Sequence, residues 1–174
     1  MSITPDTKDW TWVLQRRCPQ CGFDATGFGR DDVGAAIRQN AAAWTPLLDT
    51  SGVAMRPRPD TWSLLEYACH VRDVLGVFDG RLVLMLSEDD PSFENWDQDA
   101  TALASRYELQ VPSVVAGEIV ASADTLATHY DAVSGAQWSR PGTRSNGSRF
   151  TVETLAIYGL HDPVHHLWDV TASK

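Results

Sequence analysis

Three of the five histidines in this chain lie within six residues near the C-terminus, at positions 161, 165 and 166. Residues four apart are neighbours on a helix surface, so His161 and His165 would present their imidazoles from one helical face. The other residues of that face are mainly apolar, which predicts that it points into the core. Two buried imidazoles without a metal would lose hydration and need hydrogen-bond partners. The spacing therefore predicts that His161 and His165 bind one metal ion.

His70 lies at the edge of an apolar stripe on an earlier predicted helix, where a histidine taken alone is more often a boundary residue with one hydrogen bond. Beside the pair on the last helix, it is the candidate for a third ligand. Three protein ligands with one open coordination position are typical of a catalytic site. Zinc is the first choice of metal, with nickel or iron as alternatives, since imidazole suits all three. Asp162, His166 and Asp169 fall on an adjoining polar stripe. There, either aspartate could accept a hydrogen bond from a ligand ring and fix its tautomer.

Cys18 and Cys21 form a single Cys-x-x-Cys motif with a proline and a glycine beside it. Three interpretations stay open: half of a zinc site that needs two further ligands, a redox pair, or a tight turn with two free thiols. The surrounding residues 1–30 are predicted to form an irregular N-terminal arm. Cys69 is predicted to be a packing residue. An odd number of cysteines is typical of a reducing compartment.

Four amphipathic segments with little strand signal predict an all-α four-helix bundle over residues 31–174, with the metal site in its core. The second helix should start at Ser63, which forms a capping box with Glu66. The third should start at Pro112 and the fourth at Thr151. Pro163 lies inside the fourth helix and crowds the carbonyl group of Gly159.

The segment 88–111 is long for a loop, and long ordered loops are often functional. A short helix is predicted within it, from about residue 98 to 107. We expect the second substrate to enter through this segment, where Arg106 could pair with an anionic group. Asp97 or Asp99 could act as a base or as a hydrogen-bond anchor. His129 is predicted to lie at the surface.

The net charge of −9 argues against nucleic acid or an anionic membrane as a partner, since both require a cationic face. No apolar run approaches the roughly eighteen residues that a membrane-spanning helix needs. Residues 1–8 lack the pattern of a signal peptide, which predicts a cytoplasmic protein. We also expect a homodimer, because the seven tryptophans leave room for an exposed apolar face.

Residues 62–73 resemble the second-helix signature of DinB-like metalloproteins, and residues 161–167 resemble their last-helix His-x-x-x-His motif. The resemblance implies a four-helix bundle with a metal on His70, His161 and His165. The superfamily includes mycothiol-dependent maleylpyruvate isomerases and bacillithiol S-transferases. It therefore implies a metal-dependent transferase or isomerase that uses a low-molecular-weight thiol, such as mycothiol, on a small-molecule substrate.

Three alternatives to this function stay open. One is a metal-dependent hydrolase in which the metal activates water. Another is a non-enzymatic metal-binding or redox-sensing module that works through Cys18 and Cys21. The last is a purely structural helical protein.

Overall fold

A computed structural model describes Ile3 and residues 9–172 of the chain. Within this part, the helices α1, α2, α4 and α5 are long and pack together, which confirms the predicted all-α four-helix bundle. α1 packs mainly against α4, while α2 packs against both α4 and α5. The five α-helices are α1 (Val33–Leu48), α2 (Leu64–Ser87), α3 (Gln98–Ala104), α4 (Pro112–Asp131) and α5 (Val152–Thr171).

The helices begin at the capping residues that the sequence indicates. Ser63 Oγ accepts a hydrogen bond from the Glu66 backbone N–H at 3.2 Å, and the Glu66 carboxylate accepts one from the Ser63 N–H at 2.8 Å. The buried Glu66 carboxylate also pairs with the guanidinium of Arg56. Pro112 is the first residue of α4, and Thr151 caps α5. These contacts fix where α2 and α5, which carry the histidines, start.

A small sheet of three strands joins the segment after α2 to the segment before α5. The strand β1 (Ser92–Phe93) runs parallel to β2 (Pro141–Arg144), which pairs antiparallel with β3 (Arg149–Thr151). Gly147 has a φ of 91° in the turn between β2 and β3, where the Asn-Gly pair predicts a tight turn. The sheet therefore holds the first part of segment 88–111 against the bundle.

α5 approaches α2 closely at Gly159. A Cβ atom at this position would lie 2.4 Å from a ring carbon of Phe78, so only glycine allows the observed packing. α5 continues through Pro163, whose carbonyl oxygen accepts a hydrogen bond from Asn40 Nδ2 at 3.1 Å. This side-chain contact ties α1 to the part of α5 that carries the histidines.

The N-terminal arm (residues 9–32) packs along α5 and contains three short 3-10 helices. Its residues Val13, Cys18 and Phe23 are buried, and the latter two belong to the main hydrophobic core. Residues 1, 2 and 4–8, on which the signal-peptide prediction depends, lie outside the described residues. None of the helices within residues 9–172 combines the length and the apolar character that a membrane span requires.

Candidate metal sites

The structure distributes the histidines of α2 and α5 over two clusters of potential metal ligands. In each cluster one donor atom per residue lies within 4.8 Å of all the others. The first, here called the inter-helix site, contains His70, Asp162 and His166; the second, the arm site, contains Cys18, Cys21, His161 and His165. The predicted ligands His70, His161 and His165 are therefore not gathered in one group.

This division follows from the geometry of α5. Consecutive residues of an α-helix are rotated by about 100° around its axis. His161 and His165 contact the N-terminal arm, whereas Asp162 and His166, one residue further along, lie beside His70 of α2. Each pair keeps the spacing of four residues, and each pair meets a different part of the chain.

In the inter-helix site, the carboxylate of Asp162 lies between two imidazoles. Its Oδ1 atom is 3.2 Å from His70 Nε2 and 3.6 Å from His166 Nε2. Two ligands bound at 2.0–2.1 Å in a tetrahedral arrangement are about 3.4 Å apart. The three atoms are therefore spaced as ligands of one divalent ion, and the nitrogen and oxygen donors suit zinc, nickel or iron.

The protonation states of this site favour a bound cation. Burial lowers the pKa of His70, which is fully buried, so its imidazole is neutral at neutral pH. Burial alone would raise the pKa of Asp162, but the neighbouring imidazoles of His70 and His166 hold it well below its usual range. His70 Nδ1 is buried and has no hydrogen-bond partner among the described residues. A bound cation would balance the charge of the Asp162 carboxylate, which burial disfavours.

Aromatic side chains surround the inter-helix site. Trp96, from segment 88–111, stacks on the His70 ring with centroids 5.3 Å apart and an interplanar angle of 14°. Trp62 packs against the same ring at 5.2 Å, and Tyr67 lies 5.1 Å from the His166 ring. Burial raises the pKa of Tyr67 to about 12, so its phenol stays protonated at neutral pH. These rings limit the access of water to the three donors.

In the arm site, donors from the N-terminal arm and from α5 lie close together. Three of the four residues are buried, and Cys21 is half-buried. Cys18 Sγ lies 3.7 Å from His165 Nδ1. Burial lowers the pKa of His161 to about 4, and burial raises the pKa of the Cys21 thiol to about 11. His161 Nε2 is buried and has no hydrogen-bond partner within the described part of the chain.

The residues predicted to act from segment 88–111 lie at the bundle surface. Asp97 is the N-cap of α3, where its Oδ1 accepts the backbone N–H of Ala100 at 2.9 Å. Asp99 is half-buried in the first turn of the same helix, and Arg106 is exposed on a shallow groove that includes neither metal cluster. Their catalytic roles stay predictions. His129 pairs with Asp79 at 2.6 Å and is partly exposed.

Sequence reasoning placed Asp162 and His166 outside the ligand set. The signal that could have found them is their own spacing of four residues, which equals that of His161 and His165. A zinc site at Cys18 and Cys21 needs two further ligands, which His161 and His165 on α5 could supply. Two ligand pairs on one helix are compatible with two sites, one for each pair.

Comparison with known proteins supports the four-helix bundle fold. Among solved structures, YfiT from Bacillus subtilis is similar with a TM-score of 0.71 and 17% sequence identity. The similarity covers 82% of this chain and 86% of that one. YfiT is described as a probable metal-dependent hydrolase with an unusual four-helix bundle topology. A search of curated proteins found no match.

At this low identity, the similarity to YfiT shows the fold alone. The sequence profile of the DinB superfamily, by contrast, matches residues 35–170, which include α2, all but the last residue of α5 and all three donors of the inter-helix site. Since this match spans well over half of the 174 residues, the chain belongs to the DinB superfamily.

Proposed function

We propose that this protein is a metal-dependent hydrolase of a small-molecule substrate, with its metal held by His70, Asp162 and His166. The observation that carries the proposal is the position of Asp162 Oδ1, 3.2 Å and 3.6 Å from the Nε2 atoms of the two histidines. Three protein ligands leave a coordination position for substrate or water, as in catalytic zinc sites with two histidines and a carboxylate.

The donor set has a consequence for the charge of the site. One carboxylate and two neutral imidazoles leave a divalent ion with a net charge of about +1. A metal bound there supplies Lewis acidity, which polarises a substrate carbonyl group or makes a water molecule more acidic. Zinc is the first choice, and nickel or iron are the alternatives.

The surrounding residues orient the ligands and shield His70 from solvent. Asp169 Oδ2 lies 3.0 Å from His166 Nδ1, so the carboxylate can accept the ring N–H and leave Nε2 free to bind metal. Trp96 covers His70 from segment 88–111. Movement of that segment would open the site, which fits the predicted entry of substrate there. The description of YfiT as a probable metal-dependent hydrolase supports the same reaction class.

Thiol-dependent transfer is the second candidate. This reaction was predicted from a resemblance to the DinB superfamily. The membership of the chain in that superfamily therefore supports it. In this reaction a low-molecular-weight thiol such as mycothiol is a co-substrate, and its sulfur is added to an electrophile. A hydrolase needs no thiol, so the two functions differ in a required reactant.

The test uses the chain loaded with zinc, nickel or iron and a panel of small esters, amides and electrophiles. We expect hydrolysis without added thiol and a loss of at least about 100-fold in kcat/KM for His166→Ala, because a ligand is removed. His129→Ala is the matched control, since His129 also pairs with an aspartate but lies outside both clusters.

Two outcomes would contradict the proposed hydrolysis. Turnover that requires a thiol and yields an S-conjugate would establish the transferase instead. Unchanged hydrolysis in His166→Ala, with metal still bound, would show that the inter-helix site does not carry the reaction.

A further inference from the structure

We infer that Cys18, Cys21, His161 and His165 form a second, closed zinc site that fastens the N-terminal arm to α5. This site is separate from the one proposed to carry the reaction, and its ligands are two thiolates and two imidazoles. Its role is to hold the arm and α5 in place, because all four tetrahedral positions of the metal are taken by protein.

The cysteines are presented by a tight turn. The backbone N–H of Cys18 donates to the carbonyl of Phe23 at 2.8 Å, and the N–H of Gly22 donates to the carbonyl of Cys18 at 3.0 Å. Gly22 has a φ of 76°, which residues with a side chain seldom adopt. Arg17 Nε donates to the Gly22 carbonyl at 2.9 Å and closes the turn from outside. The turn holds Cys18 and Cys21 together against α5.

The distances agree with tetrahedral zinc. Zinc binds sulfur at about 2.3 Å and imidazole nitrogen at about 2.1 Å, which places a sulfur and a nitrogen about 3.6 Å apart. The observed separation of Cys18 Sγ and His165 Nδ1 is 3.7 Å, and the four donors all lie within 4.8 Å of one another. One pair of donors therefore has the spacing of tetrahedral zinc ligands, and the other two donors lie close enough to complete the set.

Charge and burial also favour zinc over a pair of free thiols. Two thiolates and two neutral imidazoles neutralise Zn²⁺, so the complete site can be buried with little electrostatic cost. Cys18, His161 and His165 are all buried. A bound ion would give His161 Nε2 the partner that it lacks among the described residues. A redox pair of cysteines would not require two buried histidines beside it.

Aromatic rings close the arm site on its outer side. The Trp10 ring lies 5.3 Å from the ring of His161 and 4.9 Å from that of His165. Phe23 packs edge-on against His161 at 5.3 Å. All of these residues except the histidines come from the arm, so the arm supplies both ligands and cover. A substrate could reach this metal only if the arm moved away. A structural metal binds no substrate, so the arm can stay in place.

The first test counts metal ions in protein purified without chelator and dialysed against Zn²⁺. We expect two zinc ions per wild-type chain, one in Cys18→Ser and one in His166→Ala. Cys69→Ser should keep two, and it is the matched control because Cys69 is a buried cysteine outside both clusters. A wild-type chain with one ion that survives Cys18→Ser would overturn the inference and leave the proposed hydrolase standing.

The second test needs no variant, so it remains decisive if Cys18→Ser fails to fold. Wild-type protein loaded with Co²⁺ should show thiolate-to-cobalt charge-transfer absorption in the near ultraviolet. Only the arm site has cysteine ligands, so this band reports on it alone among the two clusters. Absence of the band at full cobalt loading, or a Cys18–Cys21 disulfide in protein purified under reducing conditions, would refute the closed site.

Discussion

Asp169 lies beside one proposed ligand of each site. Its Oδ2 atom lies 3.0 Å from Nδ1 of His166, and its Oδ1 atom lies 4.0 Å from Nε2 of His165. A carboxylate that accepts a ring N–H fixes the tautomer and direction of the imidazole, so that its other nitrogen can bind metal. Asp169 can therefore orient the ring of His166, whereas its carboxylate is a charged neighbour of His165 beyond hydrogen-bond distance.

Replacing this carboxylate tests the orientation of His166. Asp169→Asn is expected to weaken zinc binding at the inter-helix site by about 10–100-fold, because the amide accepts the ring N–H less strongly. Competition with a fluorescent zinc chelator measures the affinity. Asp79→Asn is the control, since Asp79 pairs with His129 away from both clusters. Equal affinities for the two variants would contradict the role of Asp169.

The low pKa of His161 predicts how acid affects the metal-free chain. Burial lowers this pKa to about 4 from 6.5, so the unfolded state binds more protons between these pH values. The free energy of unfolding should therefore fall as the pH is lowered through this window, by about 3 kcal/mol from this group. Urea unfolding of the metal-free protein at pH 7 and pH 4 measures the change. His161→Gln should show a smaller decrease; parallel curves would exclude this cause.

At the scale of single residues, the sequence predicts histidine ligands for a metal. It does not determine which histidines belong to the same site. The spacing of His161 and His165 correctly indicated a pair on one helical face. The choice of His70 as their third partner required the rotation of α5 relative to α2, which depends on tertiary packing at contacts such as Gly159 with Phe78. No periodicity in the sequence reports that rotation. The rotation of α5 determines which of its faces lies beside His70.

At the scale of elements, the contact of α5 with α2 depends on Gly159. Gly159→Ala would place a methyl group against the Phe78 ring, so we expect a loss of about 1–3 kcal/mol in unfolding free energy. Gly117→Ala on α4 is the matched control. A Cβ there meets no atom within 4 Å, and alanine should stabilise that helix by up to about 1 kcal/mol. Thermal unfolding compares them; a stabilised Gly159→Ala would contradict the close packing.

Asp97 can be tested for capping and catalysis separately. Serine caps helices about as well as aspartate, so Asp97→Ser should keep the stability of the protein. Asp97→Ala should lose about 1 kcal/mol, because the N–H of Ala100 loses its acceptor. Turnover by Asp97→Ser decides the predicted catalytic role. Normal activity would leave the residue as a cap, whereas lost activity at full stability would make it functional.

The helices themselves were predictable because local signals mark their ends. The capping box at Ser63 and the proline at 112 coincide with the observed starts of α2 and α4. Pro46 lies inside α1, which nevertheless continues to Leu48. The strands β1, β2 and β3 have two to four residues each, too few for an alternating pattern to be recognised. Their pairing depends on contacts far apart in the sequence.

At the scale of the whole molecule, the arm site links positions that are 147 residues apart, Cys18 and His165. Removing the metal with a chelator should lower the melting temperature. It should also raise hydrogen exchange in residues 9–30 more than in α1 or α4, because the arm loses its link to α5. Exchange measured by mass spectrometry with and without zinc checks this. A uniform change over the whole chain would contradict a local fastening.

The assembly of the molecule remains a prediction. Several large apolar side chains are exposed on or beside α3 and α4, and they offer a surface on which a second copy could pack. They are Leu103, Leu109, Val111, Val114 and Val120. The predicted homodimer and the predicted cytoplasmic location can be checked by light scattering and by fractionation.

The order in which ligands occur along the chain bears on its synthesis. Cys18, Cys21 and His70 emerge from the ribosome well before the last helix, but both clusters take their remaining ligands from residues 161–166. Neither metal can therefore be fully coordinated until α5 has been made. Metal capture is then a late step, and chains truncated before α5 would carry only isolated donors. Such chains would be distinguished from finished ones by their failure to retain zinc.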